Sequence, residues 1–351
     1  MLQDRDNEQA VMPPVRILFV ADTHLGFDWP FKPRIKRRRR GPDFFANFRQ
    51  ALEPALQGEV DFVVHGGDLL FRSKVPARLV EMAFEPIKQV ADRGIPFYLV
   101  PGNHERSAIP YRILTEYPNI HIFHKPRTFS LHVNGLHLTL TGFPYVRDGI
   151  RQKFLQVLEE TGYKEKKADV YLLCMHHCVE GASVGPHNFT FRDQDFVVRM
   201  ADIPRDFSAV LSGHIHRFQV VTKDLWGRPA AVPVLYPGSI DRTSFAEKDE
   251  KKGFLAIDVV SSGPGRGKLE GWAFHELPTR TMVELPFPVE GLQEAELKSR
   301  LKEAVMRLPR DSIVKLRIRG EIGKDAAAVL SAASLRSLCP STMNVDLSVR
   351  A

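Results

Sequence analysis

Five times along the chain a short apolar run ends in glycine or a polar cluster. VRILFVA leads into DTHLG, DFVVH into GGD, PFYLVP into GNHE, VYLLCM into HHCVEG, and FSAVLS into GHIH. Apolar runs of strand length bounded this way predict buried strands. Between them the pattern takes a helical period, as in DFFANFRQALEPALQ, where Phe44, Phe45, Phe48, Leu52 and Leu56 form one stripe. Alternating strands and helices predict parallel pairing, and ligands of such sheets gather at the carboxyl ends of strands. Other stretches predict antiparallel structure. FSLHVNGLHLTL carries Asn134-Gly135 between two alternating runs, a hairpin signal, and AAVPVLYPGSI and KGFLAIDVV read as further strands. The expectation is a mixed, layered α/β core reaching to about residue 270.

The pattern then changes. Leu297, Leu301, Val305 and Leu308 recur at helical spacing, and SIVKLRIRGEI alternates Val314, Leu316 and Ile318 against Lys315, Arg317 and Arg319. A second helix, DAAAVLSAASLRSL, and a strand, NVDLSV, complete a small β-α-β-α-β-like unit. The chain therefore divides into a polar leader (1–14), a main domain (15–279) and a C-terminal α/β cap domain (280–351).

Composition adds little except in one place. Hydrophobic residues make up 43% and charged residues 26% of 351 positions, the proportions of a globular protein. No apolar stretch reaches membrane-helix length, the leader has no hydrophobic segment, and three cysteines cannot build a disulfide framework. These features point to the cytoplasm, with no membrane role expected. The net charge of +7 is local: KPRIKRRRR holds Lys32, Arg34, Lys36, Arg37, Arg38, Arg39 and Arg40, and the rest of the chain balances 42 basic against 42 acidic residues. Such a run is either a solvated loop or a grip on a polyanion.

The strand ends collect Asp22, His24, Asp68, Asn103, His104, His176, His214 and His216. Carboxylates, imidazoles and one amide form a donor set suited to divalent transition metals. Core packing does not explain ligand-type side chains at five separate strand ends. DTHLG, GGD, GNHE, MHH and GHIH, in this order, resemble the signature of the calcineurin-like metallophosphoesterases. YPGSIDRTSFAEKDEKKGF, and HLGFDWP followed by the basic arm and DFF, resemble the SbcD-like double-strand-break repair nucleases. The resemblance spans roughly residues 15–260 and implies an α/β/β/α sandwich.

The same resemblance implies a two-metal site. Asp22, His24 and His216 would hold one ion, Asn103, His176 and His214 the other, and Asp68 would bridge them. His104 would face the scissile phosphate, stabilising the transition state or protonating the departing oxygen. Two ions can share a hydroxide that attacks phosphorus in line. Manganese is the expected metal, although the same ligands accept iron and zinc. His176, the first histidine after its apolar run, matches the family position better than His177, and Cys174 and Cys178 read as small buried residues.

Substrate is a separate question, because a shared site does not set it. GGDLLFRSK lacks the Asp-Arg-Gly of phosphoprotein phosphatases, which weakens that reading. The basic arm follows the first metal motif and so should border the cleft, where it would position DNA through its phosphates. Arg192, in the loop EGASVGPHNFTFRDQDF, and Lys315, Arg317 and Arg319 on the cap strand are further candidates for nucleic-acid contact. The resulting expectation is a metal-dependent nuclease acting at DNA ends in repair. A phosphodiesterase for a small diester and a DNA-binding subunit with a vestigial site are the rivals. Relatives usually continue past the cap into a helical segment that grips a coiled-coil ATPase. This sequence stops at Ala351, which puts that partner in doubt, and no residue pattern establishes a homodimer.

Overall fold

The computed structural model describes residues 13–29, 38–105, 116–261 and 264–349. The chain begins with β1 (Val15–Val20), α1 (Gly41–Leu56), β2 (Phe62–His65), α2 (Ala77–Asp92), β3 (Phe97–Leu99) and β4 (Ile120–Ile122). The hairpin of β5 (Arg127–Val133) and β6 (Leu136–Gly142) follows, then α3 (Ile150–Glu159) and β7 (Val170–Met175). Four two-residue strands, β8 (Cys178–Val179), β9 (Ser183–Val184), β10 (Phe189–Thr190) and β11 (Val197–Val198), precede β12 (Ala209–Ser212). After these come β13 (Gln219–Lys223), β14 (Pro229–Tyr236), β15 (Gly253–Ser261), β16 (Gly267–Glu276) and β17 (Met282–Pro288). The chain closes with α4 (Glu294–Met306), β18 (Ile313–Arg319), α5 (Lys324–Val329), α6 (Ala332–Leu338) and β19 (Asn344–Val349).

Two six-stranded sheets form the core, in the orders β16-β15-β1-β2-β3-β4 and β13-β14-β12-β7-β6-β5. Strands β1 to β4 are parallel, as are β6, β7, β12 and β14, in line with their alternation with helices and loops. The central strands are apolar on both faces because both faces are covered. Along β1, Val15, Ile17 and Phe19 point between the sheets, while Leu18 and Val20 point toward α1 and α2. Strand β7 does the same: Leu172 and Cys174 face the first sheet, Leu173 and Met175 the side of α3. The result is the expected α/β/β/α layering.

The β5–β6 turn has Asn134 and Gly135 at φ of 51° and 79°, the left-handed pair that a two-residue hairpin requires. Sequence reading misses β13 and β16. The latter, GKLEGWAFHE, is largely exposed on an edge, so its glycines and charges mask the alternation.

The third sheet, β17-β18-β19, is parallel throughout. Leu297, Leu301 and Val305 of α4 pack on Val314, Leu316 and Ile318 of β18 in a hydrophobic cluster of their own. The helix expected over DAAAVLSAASLRSL is two, α5 and α6. Ser331 breaks it because its hydroxyl accepts the Ser334 amide (3.3 Å) and caps a new helix. This sheet is fastened to the core near α1. Arg280 contacts Asp43 (3.4 Å) and donates to the Thr342 carbonyl (2.7 Å), and Asn344 Nδ2 donates to the Arg38 carbonyl (3.0 Å). No helix among the described residues is long and apolar enough to cross a membrane.

Candidate metal centre

The carboxyl ends of β1, β2, β3, β7 and β12 converge at one edge of the sandwich. The turns there are tight. Asp22, His24, Asp68 and His214 all have positive φ (50°, 43°, 53° and 81°), a region that residues with a Cβ seldom adopt. Tertiary hydrogen bonds hold them: Asp22 N donates to Gly67 O (2.9 Å), His24 N to Asp68 O (3.0 Å), and His214 N to both oxygens of Asp22 (3.0 and 3.1 Å). The glycines leave room for the ligands. A Cβ on Gly67 would lie 2.4 Å from His176 Nδ1, and one on Gly102 would lie 2.3 Å from Asp68 Oδ1.

The side chains form two clusters joined at Asp68. In the first, His24 Nε2 and His216 Nε2 approach to 2.9 Å, and donor atoms of Asp22, His24 and His216 all lie within 4.8 Å of one another. In the second, Asn103 Oδ1 lies 3.0 Å from His176 Nε2 and 2.8 Å from His214 Nδ1. Asp68 Oδ2 is 3.4 Å from His176 Nε2, and Asp22, Asp68 and His176 also group within 4.8 Å. His104 stands at the mouth with 31% of its side chain exposed, its Nδ1 on the Phe71 carbonyl and its Nε2 3.8 Å from Asp68 Oδ2. Neither distance nor exposure separates it from the ligands, since it groups with His24 and Asp68 and is about as exposed as His216, 27% of whose side chain is accessible.

The donor chemistry fits divalent cations. His176 donates through Nδ1 to Gly66 O (2.7 Å), which leaves the Nε2 lone pair facing Asn103 and Asp68. Burial lowers His214 to about 3 and also depresses His24, so both imidazoles offer lone pairs at neutral pH. Burial raises Asp22 to about 6 against the pull of His176. Burial opposes protonation of His176, yet the nearby charges of Asp68 and Asp22 raise it to about 9. The centre thus attracts positive charge, which a proton or a metal cation can supply.

Further residues support the centre; Glu247 and Lys252 lie outside the strand-end pattern, and Glu105 lies within GNHE but is not among the candidate ligands. Glu105, 3% exposed, accepts the amides of Asp68 (3.0 Å), Leu70 (2.9 Å) and Gly102 (2.7 Å), tying the Asp68 loop to the Asn103 loop. Glu247 Oε1 lies 3.3 Å from His216 Nδ1, and Lys252, fully buried, donates to Glu247 Oε2 (2.7 Å). His177 turns away from the centre and accepts the Val146 amide (3.1 Å), whereas His176 enters it. His65 bonds Thr23 Oγ1 (3.1 Å) beneath the centre.

The basic candidates are differently placed. Lys32, Arg34, Lys36 and Arg37 lie outside the described residues. Arg38, Arg39 and Arg40 are not a free arm, because carboxylates around the start of α1 collect them. Arg38 pairs with Asp43 (2.8 Å) and Arg39 with Asp28 (2.8 Å). Arg40 is buried, with its guanidinium over the Phe27 ring (4.9 Å), 3.9 Å from Asp241, and bonded to the Arg242 carbonyl. Arg192 is exposed on its loop, and its carbonyl accepts Arg151 (3.0 Å). On β18, Lys315 lies 5.4 Å from the Phe245 ring, which brings it to the main domain, whereas Arg317 pairs with Glu284 (2.6 Å) on the neighbouring strand β17 and Arg319 is exposed.

The chain is similar to several known proteins. The DNA double-strand break repair protein Mre11 of Methanococcus maripaludis is 27% identical over 254 residues, which cover 70% of this chain and 63% of that protein. The Mre11 of Archaeoglobus fulgidus is 23% identical over 340 residues, 92% of this chain and 72% of that protein. The chain thus spans less than two thirds of the Methanococcus relative. A solved dimetal phosphatase from Danio rerio overlaps 73% of this chain and 98% of its own, with TM-score 0.42 and 14% identity. The family model for calcineurin-like phosphoesterases matches residues 15–218, which include every residue of both clusters, and the chain belongs to that family.

Proposed function

We propose that this protein is a metal-dependent nuclease of DNA repair that hydrolyses phosphodiester bonds at DNA ends. The observation that carries the reading is the pair of donor clusters joined at Asp68, with a half-buried imidazole, His104, beside them. Asp22, His24 and His216 would hold one divalent cation, Asn103, His176 and His214 a second, and Asp68 would belong to both. Cations so held generate a nucleophile from water at neutral pH and stabilise charge on the phosphoryl oxygens. The chain's own residues supply the rest. With its Nδ1 held by the Phe71 carbonyl, His104 would aim Nε2 at a phosphoryl or departing oxygen. The Glu105 clamp fixes the spacing of the two loops, so the clusters do not rearrange around substrate. Manganese is the cation proposed.

DNA as the substrate is supported by the similarity to the Mre11 repair proteins and by the basic arm, of which Lys32, Arg34, Lys36 and Arg37 remain candidates for phosphate contact. The test is a time course on 5′-labelled linear duplex DNA with manganese, against an EDTA control, beside a chromogenic diester. Asp68→Asn should abolish turnover of both substrates. Neutralising Lys32, Arg34, Lys36 and Arg37 together should reduce the salt slope of DNA binding by as much as about 3–4 and leave the small diester unaffected. Uncleaved DNA alongside a hydrolysed diester would replace the nuclease with a small-diester phosphodiesterase. Localisation in the cytoplasm is a further part of the proposal, to be tested by fractionation; sedimentation and co-purification decide whether the protein works alone, as a homodimer or with a coiled-coil ATPase partner.

A further inference from the structure

The segment after β14 closes on itself around His216. Lys252 is fully buried and its ammonium has three acceptors: Glu247 Oε2 (2.7 Å), Glu250 Oε2 (3.0 Å) and the backbone carbonyl of His216 (2.8 Å). Glu247, 7% exposed, faces His216 Nδ1 with its other oxygen (3.3 Å), and that oxygen also accepts the hydroxyls of Thr243 (2.6 Å) and Ser244 (3.1 Å). The contacts form a ring, from the His216 imidazole to Glu247, to Lys252, and back to the His216 main chain. A buried lysine would be costly if it served only packing, because an apolar side chain would fill the space without desolvating an ammonium.

We infer that Lys252 and Glu247 are positioning residues for the first cluster: Lys252 holds the Glu247 carboxylate, which accepts a hydrogen bond from His216 Nδ1–H and aims Nε2 at the ion shared with Asp22 and His24. This inference rests on the metal-centre reading and assigns the ring to one ion of the two. Among the described residues the second cluster is oriented differently, through the Gly66 carbonyl on His176. Partners of this kind typically contribute 10–100-fold to metal affinity. Disrupting the ring should therefore weaken one ion and spare the other, an asymmetry that general destabilisation would not produce.

The test needs no DNA. In the zinc-loaded protein with 15N-labelled histidine, the His216 resonances should report Nδ1–H and a metal-bound Nε2; metal on Nδ1, or none on His216, overturns the inference without any variant. Glu247→Leu with Lys252→Met removes both buried charges together, the change best tolerated by the fold. Manganese titration followed by the EPR signal of the free ion should then show one site weakened roughly 10–100-fold and the other at parental affinity. Glu247→Gln, which keeps an acceptor for Nδ1–H, should restore most of that loss and the parental tautomer. Two sites at parental affinity in the double variant would overturn the ring's role. Failure to cut DNA would count against the substrate and leave this result standing.

Discussion

Replacing Glu105 by glutamine tests how the two ligand loops are held together. The buried carboxylate accepts three main-chain amides, with Oε2 shared by Asp68 and Gly102 and Oε1 taken by Leu70. A glutamine oxygen can keep the first two, but its NH2 then meets the Leu70 N–H, donor against donor. That exchange leaves one buried amide unsatisfied, a loss of about 1–3 kcal/mol. Alanine would strand all three amides and cost more, about 3–9 kcal/mol. Thermal melts in EDTA should place Glu105→Gln several degrees below the parent, at about 2–4 °C per kcal/mol for a sizeable domain. The alanine form should lie lower still or fail to fold. Manganese affinity should fall in parallel at both sites, because the Asp68 and Asn103 loops lose their common anchor. A glutamine variant melting within about 1 °C of the parent would refute the clamp.

Two other outcomes follow from packing and burial. Leu301→Ala, in the fully buried stripe of α4, should cost about 2–5 kcal/mol and loosen residues 282–349 to amide exchange, while the parental manganese stoichiometry remains. Burial raises Asp241 to about 6, with Arg40 opposing, so the folded protein binds more protons than the unfolded chain between about pH 4 and 6. The stability it contributes is present at the acid end and lost as pH rises through 6. Relative to Asp241→Asn, the parent should therefore lose about 3 kcal/mol across that window in urea melts, and a flat difference would contradict the assignment.

Much of the fold was visible in the chain because each central strand is covered on both faces and reads as an uninterrupted apolar run. The candidate ligands were visible because they follow those runs directly. Edge strands such as β16 were hidden by their half-exposed, glycine-bearing sequence. The supports of the centre were hidden for another reason. Glu105 acts on main-chain amides, which have no side-chain signature, and Glu247 reaches His216 across 31 positions. The basic arm misled in part because charge counting cannot see Asp28, Asp43 and Asp241, which the fold brings around Arg38, Arg39 and Arg40.

The left-handed turns at Asp22, His24, Asp68 and His214 also bear on how the sequence can change. A single residue with a Cβ in that region costs about 1–2 kcal/mol, so the four together cost roughly 4–8. A whole domain is typically stable by only about 5–15 kcal/mol. The two-sided cores and the Glu105 clamp hold these turns in place, and glycine or asparagine would relax each of them. Selection for heat resistance alone, with activity unmonitored, would therefore replace these four positions early and produce a sturdier protein without a working centre.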